Sequence, residues 1–146
     1  MASNAVSAFQ TQLQLGDGAA PTENFSTVAE LRTISGPSLE LETIDVTTHN
    51  TSQPWRSFIG GLLNAGEVNF DINFIPTNPS HSYSSGILSD MVNRVQRNMK
   101  LVFPDAGATE WQFTCLVTGF EVTAEPADVL IASVTLKLTG VPTLAG

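Results

Sequence analysis

Few side chains in this sequence have the type and spacing that chemistry requires. The two histidines, His49 and His81, stand in separate polar stretches, and neither belongs to a His-x-His or His-Glu-x-x-His pattern that would hold zinc beside a general base. Cys115 is the single cysteine, so no internal disulfide can form. It alternates with Trp111, Phe113 and Val117, the placing of a small buried hydrophobe and not of a nucleophile. A Gly-x-Ser-x-Gly elbow is absent, and Gly16-Asp17-Gly18 lacks the following Gly, Lys or helix of a phosphate-binding loop. Asp17, Asp105 and Asp128 fall at expected turns, where the Asp side chain closes on nearby backbone. No Asp-x-Asp-x-Asp-Gly loop marks a calcium site, and the remaining carboxylates identify no acid–base pair. The expectation is a protein without catalytic residues, metal or cofactor.

Charge narrows the partners. With 14 acidic and 6 basic residues among 146, the net charge is −8, which repels nucleic acid and anionic membranes. Only 14% of residues are charged, against about 25% in ordinary domains. Much of the surface is therefore Ser, Thr, Asn, Gln and Gly, which suits a protein that covers part of itself with neighbours. No run of about 18 apolar residues is present to span a membrane. The start, MASNAVSAFQTQLQL, lacks the basic and apolar blocks of a signal peptide, so no classical export is expected.

The elements that position these residues are mostly strands, because period-two alternation dominates. Phe9, Thr11, Leu13 and Leu15 alternate with glutamines, and a second strand is expected from Phe25 to Ile34. In the third, Leu39 and Leu41 oppose Glu40 and Glu42. In EVNFDINF, Val68, Phe70, Ile72 and Phe74 oppose Glu67, Asn69, Asp71 and Asn73. The period then changes: Ile87, Leu88, Met91, Val92 and Val95 predict one amphipathic helix from Ser84 to Asn98. Ser82, Ser84 and Ser85 are its expected N-caps, and Arg94, Arg97 and Lys100 suit its C-terminal dipole. Strands return at MKLVF, from Trp111 to Val122 with a bulge at Gly119, and from Leu130 to Leu138. The expected fold is a single mainly β domain over 1–146, a two-sheet β-sandwich or open barrel of seven or eight strands with one flanking helix. Residues 1–8 form an N-terminal arm, 49–66 a long inter-strand loop and 141–146 a C-terminal tail.

Two features lack a place in such a core. The loop carries Trp55, Phe58, Ile59, Leu62 and Leu63, broken by Gly60 and Gly61. It either covers an open end of the sandwich or finds its burial partner in another copy. Glu40, Glu42, Glu67 and Asp71 are predicted to share a polar face on adjacent strands, where like charges tend to destabilise an isolated sheet.

Several segments together resemble the major tail tube proteins of long, flexible-tailed bacteriophages. They are LRTISGPSLELETIDVTTHN, WRSFIGGLLNAGEVNFDINFIPTNPSH, GILSDMVNRVQRNMKLVFPDAG, WQFTCLVTGFEVTAEPADVLIASVTLKLTG and VPTL, in unbroken order over roughly 13–144. The resemblance implies a fold related to the tube protein of type VI secretion. It also implies hexameric rings stacked into a hollow tube around a tape-measure protein, joined to tail terminator and tail-tip proteins. The genome would pass through without specific binding during DNA ejection. The protein would belong to the virion tail, assembled in the bacterial host cytoplasm, with no membrane partner. Within that frame Trp55, Phe58, Ile59, Leu62 and Leu63 become the inter-ring stacking loop, and Gly60 and Gly61 its flexibility before docking. Glu40, Glu42, Glu67 and Asp71 become lumen-facing acids, and Arg94 and Arg97 are left for an outer or subunit-facing surface. Competing readings are a related ring component, type VI tube-like or tail terminator-like, and a carbohydrate-binding β-sandwich; a secreted hydrolase fits less well.

Overall fold

The computed structural model describes residue 5 and residues 9–17, 22–49 and 54–144. Nearly all of the expected N-terminal arm, part of the long loop and the last two residues of the expected tail therefore lie outside the described residues. The described chain forms β1 (Gln12–Gly16), β2 (Phe25–Thr27), β3 (Leu31–Ser35), β4 (Glu40–Asp45), β5 (Phe58–Asn64) and β6 (Glu67–Asn73). After these come α1 (Ile87–Val92), β7 (Arg97–Val102), β8 (Glu110–Thr123) and β9 (Ile131–Leu144).

Seven strands make one antiparallel sheet in the order β2-β1-β7-β8-β9-β6-β3, and β4 and β5 make a second sheet of their own. The large sheet follows the alternation. Val68, Phe70 and Ile72 of β6 are buried beside Leu136, Val134 and Ala132 of β9, while Glu67, Asn69 and Asp71 turn outward. Leu13, Leu15, Met99, Leu101, Phe113, Cys115 and Val117 continue the same core across β1, β7 and β8. The expected bulge is present: the β8–β9 register slips between Val117 and Gly119. Beyond it Phe120 meets the Phe74 ring edge-on, 5.4 Å between centroids.

The sheet curls because its two edge strands are neighbours in sequence. Only Val28, Ala29 and Glu30 separate β2 from β3, so Thr27 and Leu31 lie at most about 14 Å apart. One strand was expected from Phe25 to Ile34; the break between its halves lets them edge opposite sides of an open barrel. Buried Val28 donates its N–H to the Leu13 carbonyl, and the Glu30 carbonyl accepts from the Asn73 N–H. His81 fastens this corner from the loop after β6. Fully buried, it accepts the Ile75 N–H at Nδ1 (3.1 Å), so its Nε2–H faces the Ala29 carbonyl at 2.7 Å. A histidine read as part of a polar loop is thus a structural clasp.

Five further expectations change. Phe9 is not on the first strand but in a turn, exposed, and Gln10 beside it has φ of 73°. The helix is much shorter than 84–98. Arg94 adopts φ of 57°, the Arg94 N–H bonds the Met91 carbonyl and the Val95 N–H bonds the Asp90 carbonyl, a Schellman closure that stops the helix. The N-cap is Gly86 without a side-chain bond, and none of the three serines takes that position. Arg97 lies in β7, not on an outer helical face: its guanidinium pairs with the buried Asp90 carboxylate (Nη2–Oδ1 2.8 Å) and bonds the Gly16 carbonyl. Finally, the expected tail is largely strand, because Thr143 and Leu144 pair with Gln112 and Trp111. Pro142 is tolerated there because the register is irregular between Gln112 and Thr114.

Candidate assembly interface

The loop expected at 49–66 contains a strand. Phe58–Asn64 pairs antiparallel with Glu40–Asp45, making a two-stranded arm. Gly60 and Gly61 sit where the register is irregular between Leu41 and Thr43. A Cβ on Gly61 would come within 3.3 Å of the Glu42 carbonyl oxygen, so the glycine permits close strand approach. Beyond the paired strands the arm is tied by Asp45, which ion-pairs Arg56 (3.1 Å) and accepts the Thr47 N–H (2.9 Å). The Thr47 bonds hold the Asp45 carboxyl below its ordinary range. At the base, Gly66 has φ of 74°, and a Cβ there would strike the Ser38 carbonyl oxygen.

The arm stands clear of the barrel. Every residue of β4 is exposed, so Leu39 and Leu41 do not reach the core as expected. Trp55, Phe58, Ile59, Leu62 and Leu63 are exposed as well, Leu62 and Leu63 to 79% and 80%. Sequence reasoning found these residues but missed the exposure of Leu41, read with Leu39 as one strand face, and of Ile44. These apolar side chains stand exposed on both faces of the two-stranded arm.

The four acids do not share one sheet. Glu40 and Glu42 lie on the arm, whereas Glu67 and Asp71 lie on β6, whose neighbours are β3 and β9. Asp71 accepts the Ser133 hydroxyl (2.8 Å) and the Thr33 hydroxyl (3.2 Å), and Glu67 stands opposite Lys137. The Asn69 side chain accepts the Thr135 hydroxyl (2.9 Å). The result is a broad hydroxyl- and amide-rich face with a few acids, where most polar groups already satisfy one another.

A third feature had no signal in the sequence. An open groove of ≈ 1020 Å³ runs between β3, the turn at Phe9–Thr11 and the β7–β8 connection. Leu31, Ile34, Leu101, Phe103 and Trp111 give it an apolar lining, and Arg32 and Asp105 line it too. Phe103 and Trp111 meet edge-on with centroids 5.1 Å apart.

Buried chemistry is scarce. Burial, with Asp90 nearby, pushes the Cys115 thiol up to about 12. Burial also raises the Asp90 carboxyl, and Arg97 draws it back. Among the described residues, no group of three His, Cys, Asp or Glu side chains could hold a metal ion. No helix among them is long and apolar enough to cross a membrane. A mainly β open barrel with an unpartnered apolar arm has the features of a subunit built to meet other proteins.

The comparisons specify which kind. The sequence pattern of the lambda phage tail tube protein family matches residues 11–145. No curated protein matches the sequence. The fold is similar to a chain in the tail of an empty gene transfer agent particle, refined helically with C6 symmetry. That likeness has TM-score 0.70 and 17% identity, covering 92% of this chain and 96% of the other. It is also similar to a chain of an extracellular contractile injection system's sheath/tube terminator in the extended state (TM-score 0.72, 10% identity, 100% of both chains). A third likeness is to the SPP1 tail tube, with TM-score 0.69 and 9% identity, covering 97% of this chain and 80% of that one. The chain belongs to the lambda phage tail tube protein family, a family of structural virion tail components.

Proposed function

We propose that copies of this chain close into hexameric rings that stack into a hollow tube, with the β4–β5 arm as the joint between rings. The observation that carries this reading is the arm itself, an ordered hairpin with Phe58, Ile59, Leu62 and Leu63 exposed. The C6 symmetry of the structurally similar gene transfer agent tail supports six copies per ring. Glu67 and Asp71, on the polar face of the large sheet, are the lumen-facing acids in this reading. Glu40 and Glu42 belong with the joint, at the mouth of each ring. Three of the six Lys and Arg side chains are engaged, Arg56, Arg97 and Lys100 pairing with Asp45, Asp90 and Glu110, and Lys137 on the polar face stands opposite Glu67. A wall of this kind offers phosphate little to bind, so DNA passes and a tape-measure protein fills the lumen beforehand. Terminator and tip proteins close the ends, and assembly takes place in the host cytoplasm.

The similarity to a sheath/tube terminator favours a second reading, a single ring that ends a tube. Negative-stain microscopy separates them. Stacked tubes support the main reading, isolated rings the second, and a monomer at every concentration opposes both. Replacing Phe58, Ile59, Leu62 and Leu63 with serine is expected to leave a folded chain by circular dichroism while preventing tube elongation. Loss of the fold would instead make these residues core and exclude the arm as a joint.

A further inference from the structure

We infer that His81 is an acid-released clasp: uptake of a second ring proton breaks its bond to the Ile75 N–H and loosens the corner that joins the two terminal strands of the large sheet. This is a property of the single chain and does not rest on the arm as a joint.

The corner is short and held from one side. Val28, Ala29 and Glu30 carry the chain from β2 to β3, which stand at opposite ends of the described sheet. The loop after β6 grips Ala29 by both of its backbone groups. The Ala29 N–H donates to the Ser80 hydroxyl (3.2 Å), and the Ala29 carbonyl accepts the His81 Nε2–H (2.7 Å). On the other side of the ring, Nδ1 accepts the Ile75 N–H (3.1 Å), and the His81 N–H bonds the Asn78 carbonyl (3.0 Å). His81 is fully buried, with the Phe74 ring 6.2 Å away between centroids.

These bonds accept one protonation state. With Nε2 donating to Ala29, Nδ1 must stay bare to receive the Ile75 N–H, whereas an imidazolium carries a proton on both nitrogens and offers only donors. The second proton would point at the Ile75 N–H, in a place closed to solvent. A buried cation without a carboxylate partner is strongly disfavoured. Among the described residues the ring makes no ion pair, and no charged residue lies between Asp71 and Asp90 in the chain. The acids on the neighbouring elements are engaged elsewhere or exposed. Glu30 and Glu121 are exposed, Asp71 accepts the Thr33 and Ser133 hydroxyls, and Asp90 pairs with Arg97. The clasp is therefore closed above the ordinary imidazole range, around about pH 6.5, and weakens as pH falls below it.

Amide hydrogen exchange of the full chain tests this, each rate being divided by that of the unstructured chain at the same pH. Protection of Ile75 and Ala29 is expected to fall at least about tenfold between about pH 7.5 and about pH 5. His81→Gln keeps a side-chain N–H for the Ala29 carbonyl but cannot titrate, so protection of Ala29 should change less than about twofold over that range. His49 remains in the variant and controls for the other histidine. Unchanged protection in the original chain, or an equal fall in the variant, would show that the clasp does not answer to acid. Should the variant not fold, NMR of the His81 ring in the original chain decides, because ring protonation and loss of Ile75 protection must share one midpoint. A ring that gains its proton while Ile75 stays protected overturns the inference.

Discussion

At the scale of single residues, the inward-facing ionisable groups serve the fold. Cys115 lies in β8 opposite Arg97 of β7, its thiol 3.7 Å from the Arg97 carbonyl, with its proton held by burial to about 12 against 9.0 unperturbed. The folded chain therefore keeps a proton that the unfolded chain loses, so the stability present below pH 9.0 declines as pH rises toward about 12. The expected slope is about 1.4 kcal/mol per pH unit in that window. Urea unfolding at pH 8 and about pH 10 should show a larger loss in the original protein than in Cys115→Ala, whose curve lacks this contribution. Equal losses would mean that the thiol ionises freely in the folded state. His81 and Asp90 are also buried, and His81 is held by the backbone. Its two backbone bonds leave no free ring nitrogen for a metal or a proton relay, which is why a lone histidine in a Ser- and Pro-rich loop was no guide to chemistry.

Among the elements, legibility followed the contrast between two faces. β6 and the first half of β9 were readable because one side meets the core and the other is polar, so residue type reports orientation. The Gly119 bulge was readable as a slip in that same pattern. The arm was not, since both of its faces are exposed in the single chain and alternation carries no information there. The join of β2 and β3 was obscured because Val28 continues the apolar pattern while the chain turns between sheet edges. The helix end was hidden for another reason: Val95 kept the helical spacing, but Arg94 took a left-handed conformation. That conformation costs a branched or ordinary side chain about 1 kcal/mol or more, and glycine nothing, against glycine's extra unfolded-state entropy. Arg94→Gly is therefore expected to stabilise the protein by about 0.5 kcal/mol, raising Tm by about 1–3 °C, while Arg94→Val lowers it. A lower Tm for the glycine variant would show that the Arg94 side chain outweighs the backbone strain.

For the whole molecule, the balance between apolar docking and charge decides whether copies meet. Each chain carries −8, so any two copies repel beyond the few places where opposite charges face each other. An attraction through the arm's exposed leucines and phenylalanine would be apolar and short-ranged, and salt would leave it intact or strengthen it. Raising salt from about 0.01 M to about 0.15 M shortens the Debye length from about 30 Å to about 8 Å, which removes most of the long-range repulsion. The monomer concentration in equilibrium with assembled protein is therefore expected to fall several-fold over that range, measured by pelleting and absorbance. The opposite trend, assembly that dissolves as salt is added, would mean that ion pairs and not the exposed leucines and phenylalanine hold the copies together. In that case the serine variant of the arm should assemble nearly as well as the original.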